Sequence, residues 1–296
     1  MLSIDEAFKK FKSNLELTQS EQDDASRRHY DVRDTIKAAF SVDRDFLTGS
    51  YGRHTKTKPL KDIDVFFVLN KEKEGKYLDE PSRNLLEAFR KTLAAKYGSS
   101  NVSVGRRSVT VEFIKNENDA NERIMSIDAV PAFENGTNYK IADPQIAANW
   151  ILSDPEVHAE KSTTANKSYS LEWKPLVKML KNWNNNHGKP IKPSFLIEVM
   201  ALDILFPPFS GGYVYELKSF FATAADRIHE KWKDPAGLGP PVSDQMDTQM
   251  CNTAIVKLRA AGKSVDDAIQ ANKRGNTGEA LRIWRERVFG KPFPLS

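Results

Sequence analysis

At 296 residues, 40% hydrophobic and 10% aromatic, the chain has the length for one large domain or two lobes and the side chains to fill their cores. A formal net charge of +4 is compatible with a triphosphate site but excludes the imbalance of a general DNA-coating protein, and a lone cysteine, Cys251, excludes an internal disulfide or a cysteine-rich zinc site. No stretch reaches the ~20 apolar residues of a membrane span, and residues 1–6 lack a basic-then-apolar signal region, so a cytoplasmic location with no membrane partner is expected.

Residues 3–17 carry Ile4, Ala7, Phe8, Phe11 and Leu15 at helical spacing, opened by a Ser3/Glu6 capping box. Residues 20–40 continue as a charged helix whose sparse apolar face suits a brace across other elements. Residues 44–47 and 63–69 read as strands on either side of Gly49-Ser50 and a basic linker carrying Arg53, His54, Lys56 and Lys58. Gly49 lets the backbone turn sharply against a ligand. The Ser50 hydroxyl and neighbouring N–H groups suit phosphate oxygens. Asp62 and Asp64 lie two apart at the head of the second strand and therefore project from one face. Adjacent carboxylates raise each other's pKa unless a cation lies between them. Hard oxygen ligands with open positions suit Mg2+ bound together with substrate phosphates. Taken alone, Asp62-Ile63-Asp64 is equally a charged strand start or a turn.

Residues 71–80 read as a charged loop and 82–97 as a helix with Leu85, Leu86, Phe89 and Leu93 inward. Residues 102–104 and 109–114 form a hairpin about Gly105-Arg106-Arg107, whose arginines suit exposed turn positions better than nucleotide contacts. After a polar loop at 117–122, residues 125–130 alternate as a strand with Asp128 in mid-run. Asp is disfavoured in strand interiors. A third ligand reaching the same metals from a neighbouring strand accounts for it; a solvated edge residue is the alternative. Residues 131–155 read as loop with a short helix at 145–152. Helices are then expected at 161–186 (Trp173, Leu176, Leu180 and Trp183 inward), 194–205, 213–231, 243–261, 264–271 and 277–288. Strands mixed with helices first, and helices after, give the α+β class: a mixed-sheet lobe at 1–155 joined to a helical lobe at 156–296. Trp284, Val288, Phe289 and Phe293 carry apolar bulk almost to the end, so the tail is expected to clasp the helical lobe, stiffened by Pro292 and Pro294.

Gly49-Ser50, Asp62-Ile63-Asp64 and Asp128 together resemble the nucleotidyltransferase superfamily with a polymerase-beta-like fold. The stretches GSYGRHTKTKPLKDIDVFFVL, IDAVPAF, SDPEVH, PLVKMLKNWN, PSFLIEVMA and WRERVFGKPFP are similar to the bacterial CD-NTases. These are the cyclic-oligonucleotide synthases of CBASS anti-phage defence, relatives of cGAS and oligoadenylate synthetase. The resemblance covers nearly the whole chain. It implies the two-lobe architecture of oligoadenylate synthetase, with a bracing N-terminal helix and a helical nucleotide-binding lobe. It also implies two Mg2+ (or Mn2+) ions per site. Asp62 and Asp64 would touch both ions, and Asp128 the ion that activates the attacking hydroxyl, with Asp128 a candidate proton acceptor. Gly49 and Ser50 would hold the donor's terminal phosphates. Similar enzymes supply a phosphate-binding lysine near a Lys-x-Trp pattern, here Lys181 before Asn182-Trp183, with Lys178 the second choice; either is alternatively a solvated lysine. Ser194-Phe195 matches a Ser-aromatic pair that touches phosphate and stacks on the base, although Ser194 is equally a helix cap and Phe195 equally core.

The implied activity is synthesis of a cyclic di- or trinucleotide second messenger from NTPs, ATP among them, in anti-phage signalling. A downstream effector would bind the product, and a regulatory protein is a further candidate partner. No insertion like the zinc element of the animal DNA-sensing cyclase is visible, so activation by double-stranded DNA is not expected. Two readings compete. A template-independent transferase acting on RNA ends or a protein, or a linear oligonucleotide synthase, would use the same carboxylates, but no added RNA-binding module is visible. A catalytically dead scaffold is disfavoured by the intact Asp62, Asp64 and Asp128.

Overall fold

A computed structural model describes residues 2–114 and 123–296; the polar loop expected at 117–122 lies outside the described residues. The chain forms two compact units, residues 18–54 with 59–159, and residues 1–17 with 55–58 and 160–296. The N-terminal segment, expected with the sheet, groups instead with the helices because Ala7, Phe8, Phe11 and Leu15 are buried in the helical core.

The sheet unit contains α2 (Gln19–Ala39), β1 (Val42–Thr48), the four-residue helix α3 (Gly49–Gly52), β2 (Asp62–Leu69), α4 (Lys71–Glu74), α5 (Ser82–Tyr97), β3 (Val102–Val104), β4 (Val109–Ile114), β5 (Arg123–Asn135), β6 (Asn138–Ala142) and β7 (Trp150–Ser153). The strand order is β1-β2-β5-β4-β3, with β6 paired to β5 and β7 to β6. β2 and β5 run parallel, and the other pairs are antiparallel. Period-two alternation gives β2 two faces. Ile63, Val65, Phe67 and Leu69 are buried on one, and the Phe67 ring meets Phe89 of α5 edge-on at 6.0 Å. Phe66 and Val68 on the other join Val130, Ala132, Tyr139 and Ile141 in a second apolar cluster. α2 buries Ala25, His29, Val32 and Ile36 along a single stripe and lies wholly within this unit.

Of the region 131–155, expected as loop with a short helix at 145–152, residues 131–135, 138–142 and 150–153 are instead strand, residues 143–149 are loop as expected, and no helix forms at 145–152. β5 runs on through Pro131 to Asn135 and turns back through Gly136-Thr137 into β6. Pro131 is tolerated because β5 changes antiparallel neighbour there. Its pairing with β4 ends at Ala129 and its pairing with β6 begins at Ala132, so no ladder bond on that side needs the missing N–H. Asn135-Gly136 is the hairpin signal that the sequence reading passed over, and Gly136 has φ +66° as such a turn requires.

The helical unit is built from α1 (Ile4–Asn14), α6 (Pro155–Ser168, which begins before the unit's boundary), α7 (Trp173–Asn186), α8 (Phe195–Ile204), α9 (Tyr213–Arg227), α10 (Thr248–Lys273) and α11 (Thr277–Ile283), which runs into a wide π-turn, Trp284–Phe289. The Ser3/Glu6 capping box opens α1 as expected. The single helix expected at 161–186 is two, because Ser170 and Leu171 adopt φ +54° and +67°, outside helical space. The two helices expected at 243–271 are one, α10. Gly262 and Ser264 do not break it: Ser264 Oγ bonds back to the Ala260 carbonyl at 3.0 Å, and Leu258, Ala261, Val265 and Ala268 keep one buried face. Phe289 and Phe293 have no exposed surface and sit in a core with Phe8, Phe11 and Trp284, so the tail packs as a clasp. Among the described residues no helix is long and apolar enough to cross a membrane.

Candidate active site

The polar half of one sheet face is where the sequence candidates meet. β2 pairs with β5 so that Asp64 lies beside Asp128 and Asp62 beside Ser126. On the outer sides Thr48 of β1 pairs with Asp64, and Thr110 of β4 pairs with Asp128. Paired residues share a face, so Thr48, Asp62, Asp64, Asp128 and Thr110 present their side chains together. Further along β2 the same face turns apolar with Phe66 and Val68. The carboxylates thus stand at the edge of an apolar cluster, Asp62 exposed, Asp64 and Asp128 half-buried.

Gly49 closes the site on the β1 side. It adopts φ +59°, and a Cβ there would lie 1.7 Å from Asp64 Oδ2. Only glycine therefore permits both the turn and the approach to that carboxylate. Gly52 is needed for a second reason, since a Cβ would lie 2.5 Å from the Leu47 carbonyl oxygen. Ser50 follows Gly49 in α3, whose first-turn N–H groups have no intrahelical acceptor.

Thr110 is a residue that sequence reasoning missed. Its hydroxyl donates to Asp128 Oδ1 and so fixes that carboxylate. The signal was available: in Val109-Thr110-Val111 the valines are buried, which puts Thr110 on the opposite face with Asp128. Burial raises the Asp128 carboxyl above the ordinary carboxylate value, the Thr110 hydrogen bond opposes this, and the negative Asp62 pushes it up again. Asp62 is thus close enough to act on Asp128. Among the described residues no three Asp, Glu, His or Cys side chains converge closely enough to hold an ion unaided. A fan of carboxylates over two strands fits a hard divalent cation whose remaining ligands are substrate oxygens.

The other candidates belong to the helical unit. Lys178 and Lys181 are both buried on α7 rather than solvated. Lys178 Nζ contacts Glu16 Oε1 at 2.5 Å. Lys181 Nζ donates to Glu198 Oε1 of α8 at 2.6 Å and, over a longer 3.4 Å, to Thr55 Oγ1. Ser194 precedes α8 but makes no side-chain cap hydrogen bond. Phe195 is half-buried against the helical core. Arg106 and Arg107, read as exposed turn residues, clamp the fully buried Asp143, with Arg106 Nε 2.8 Å from Oδ1 and Arg107 Nη2 2.8 Å from Oδ2. They hold Asp143 below its ordinary value against the opposing effect of burial. Cys251 is buried in α10.

The family model described as the Second Messenger Oligonucleotide or Dinucleotide Synthetase domain matches residues 2–166. A probable cyclic nucleotide synthase of Bacillus cereus (strain VD146) is 28% identical over 274 residues, covering 83% of this chain and 81% of that protein. A cyclic AMP-AMP-AMP synthase of Acinetobacter sp. (strain ATCC 27244 / 9458) is 24% identical over 318 residues, covering 100% of this chain and 87% of that protein. Among solved structures, CdnC in the E. coli MS115-1 CdnC:HORMA-deltaN complex superposes with a TM-score of 0.70 at 19% identity, covering 97% of each chain. At that identity the likeness establishes the fold, a two-lobe nucleotidyltransferase with a mixed sheet and a helical partner unit. The family match spans more than half of the sequence, including Gly49, Ser50, Asp62, Asp64 and Asp128, and with it the chain belongs to the Second Messenger Oligonucleotide or Dinucleotide Synthetase family, as a bacterial CD-NTase, a nucleotidyltransferase of the cyclic-oligonucleotide synthase class.

Proposed function

We propose that this enzyme joins NTPs, ATP among them, into a cyclic di- or trinucleotide through a site built on Asp62, Asp64 and Asp128. The observation that carries the reading is the register of β2 and β5. It puts Asp64 beside Asp128, with Asp62 on the same face and Gly49 against the Asp64 carboxylate. Asp62, Asp64 and Asp128 would hold two Mg2+ or Mn2+ ions. When bound, such ions supply positive charge to the attacking and leaving oxygens of an in-line displacement. Thr110 orients Asp128, which would be the group placed to take a proton from a nucleotide hydroxyl. Gly49 and Ser50 offer backbone and hydroxyl donors to phosphate. Lys178, Ser194 and Phe195 would be the helical unit's nucleotide contacts, with Lys181, closed in its pair with Glu198, holding Thr55 beside them.

Anti-phage signalling in the cytoplasm, with a downstream effector for the cyclic product, is the setting this activity fits. The structural neighbour's complex with HORMA supports a regulatory protein as a partner here. The test is incubation with labelled NTPs and Mg2+ or Mn2+, then phosphatase. A phosphatase-resistant product is expected. In Asp62→Asn/Asp64→Asn the product should fall to background while the melting curve is kept. A product found only on added RNA ends or on protein would sink the proposal in favour of a polymer-modifying transferase.

A further inference from the structure

A second charged cluster stands on the sheet face that carries the carboxylates. Asp143 follows β6, whose Tyr139 and Ile141 join Phe66 and Val130 in the apolar cluster of that face. The Asp143 N–H bonds to the Asn149 carbonyl at 2.8 Å, so the extended path runs on past Ala142, and alternation returns Asp143 to the face of Ile141. Register gives its place along β5. Ala132 pairs with Ile141, so two residues further on Asp143 comes alongside Val130. Val130 is two residues, roughly 7 Å, along the strand from Asp128. The hairpin carrying Arg106 and Arg107 arrives at the same point, because β4 begins its pairing with Val109 opposite Ala129.

Asp143 is fully buried and its oxygens are fully used. Oδ1 accepts from Arg106 Nε at 2.8 Å and from the Gln145 N–H at 3.3 Å; Oδ2 accepts from Arg107 Nε at 2.9 Å and meets Arg107 Nη2 at 2.8 Å. Arg107 alone grips the carboxylate with two nitrogens, so a second guanidinium is more than neutrality needs. Two positive charges face one negative charge, and one positive charge is left over. Arg106 uses only Nε, so both its Nη groups, and Nη1 of Arg107, have no hydrogen bond among the described residues. The two side chains are 42% and 36% exposed. Guanidiniums fixed along one edge and open along the other are pre-organised for a phosphate, which takes parallel N–H bonds from such a fork.

Sheet order decides which nucleotide they would serve. Gly49 and Ser50, assigned above to the donor's phosphates, follow β1, and the strands run β1-β2-β5-β4 from there. The attacking nucleotide has its hydroxyl at Asp128 on β5, and its own phosphates are repelled by the donor's phosphates. They therefore lie toward β4, where Arg106 and Arg107 stand. We propose that Arg106 and Arg107, held on Asp143, form a phosphate subsite for the attacking nucleotide. Asp143 is the positioning residue of the set. The proposal rests on the reading of the chain as an NTP-using synthase and deepens it by assigning the second nucleotide's phosphates to named residues.

A choice between two attacking nucleosides separates this from a merely structural clamp. The full chain is given labelled ATP and Mg2+ with adenosine as a competing acceptor. Attack by ATP yields triphosphate-headed and cyclic products; attack by adenosine yields a product with no terminal phosphate, separable by charge. In Arg106→Gln and in Arg107→Gln, each of which leaves one guanidinium on Asp143, the ratio of the first class to the second is expected to fall about ten-fold. Arg106→Lys should keep most of the wild-type preference. Loss of a structural clamp lowers both classes together, so a ratio within about two-fold of wild type in both variants overturns the subsite. Metal-free calorimetry with inorganic tripolyphosphate reads the subsite without turnover: the Kd should rise about ten-fold in either variant, and a change within about two-fold in both overturns it. Melting curves establish equal folding. A wild type that makes no nucleotide product while the variants lose tripolyphosphate affinity sinks the synthase reading alone. Product formation with an unchanged ratio and an unchanged Kd in the variants sinks the subsite alone.

Discussion

Replacing Phe293 with alanine tests whether the tail holds the helical unit together. Phe293 has no exposed surface. Its ring centroid lies 5.2 Å from those of Phe8 and Phe11, 5.9 Å from Phe289 and 6.1 Å from Trp284. Truncating a fully buried Phe to Ala costs about 3–5 kcal/mol, through lost transfer free energy and the cavity left behind. The upper half of that range is expected here, because rings locked in several mutual contacts collapse poorly into a void. For a folding unit of roughly 150–250 residues each kcal/mol lowers Tm by about 2–4 °C, so Phe293→Ala should melt roughly 8–20 °C below wild type by scanning calorimetry. Phe293→Leu keeps most of the volume and should cost about 1 kcal/mol. The damage should also reach α7, since the Phe289 carbonyl accepts from Asn182 Nδ2 at 2.8 Å, next to Lys181. Below its melting point the Ala variant should therefore show a raised KM for nucleotide before kcat changes. A Tm within about 2 °C of wild type would refute the clasp.

Three further outcomes follow from the site and its neighbours. Gly49→Ala should abolish product and lower Tm, because the added methyl meets Asp64 Oδ2 and the residue must hold φ +59°, a conformation that costs non-glycine residues about 1 kcal/mol or more; activity near wild type would show that the turn can move. Asp128→Asn should be inactive yet melt higher than wild type in metal-free buffer at neutral pH. The folded Asp128 binds its proton more tightly than the unfolded chain does, so its contribution to stability is present at acid pH and is lost as pH rises through its raised folded value. The gain should shrink toward zero below the ordinary value of 3.8, and a variant that melts lower at neutral pH counts against the burial. Lys181→Met, which takes the ammonium from the buried Glu198, should cost about 3–5 kcal/mol in urea unfolding, and Lys181→Met/Glu198→Leu should recover most of it; a double variant as unstable as the single would mean that packing, not charge, is at stake.

What was legible in the sequence follows from where a local rule decides the outcome. Alternation along β2 put Asp62 and Asp64 on one face because a strand has no other way to present them, and the β2–β5 register adds only that Asp128 is the neighbour of Asp64. The Ser3/Glu6 cap was legible because it closes within four residues. The misreadings fall where distant contacts decide. Gly262-Lys263-Ser264 looks like a helix end, and Ser170-Leu171 does not, yet burial against other helices carries α10 through the first while the chain breaks at the second. Pro131 looks like a strand end until one knows that β4 stops and β6 starts on either side of it.

The charge partners were illegible for the same reason, and they change what the lysines mean. Spacing on α7 could place Lys178 and Lys181 on neighbouring turns, but not reveal that Glu16 and Glu198 lie against them, since these carboxylates are 162 and 17 residues away in sequence. The two pairs differ in kind. Glu198 is as buried as Lys181 and leaves the pair no route to solvent, whereas Glu16 is half exposed and stands on a connector between helices. A closed pair can fix a backbone segment and is costly to open; an open one exchanges its carboxylate for a better anion at little cost. The same residue type, three positions apart on one helix, is thus in one case locked beside Thr55 and in the other paired with a carboxylate that solvent can reach.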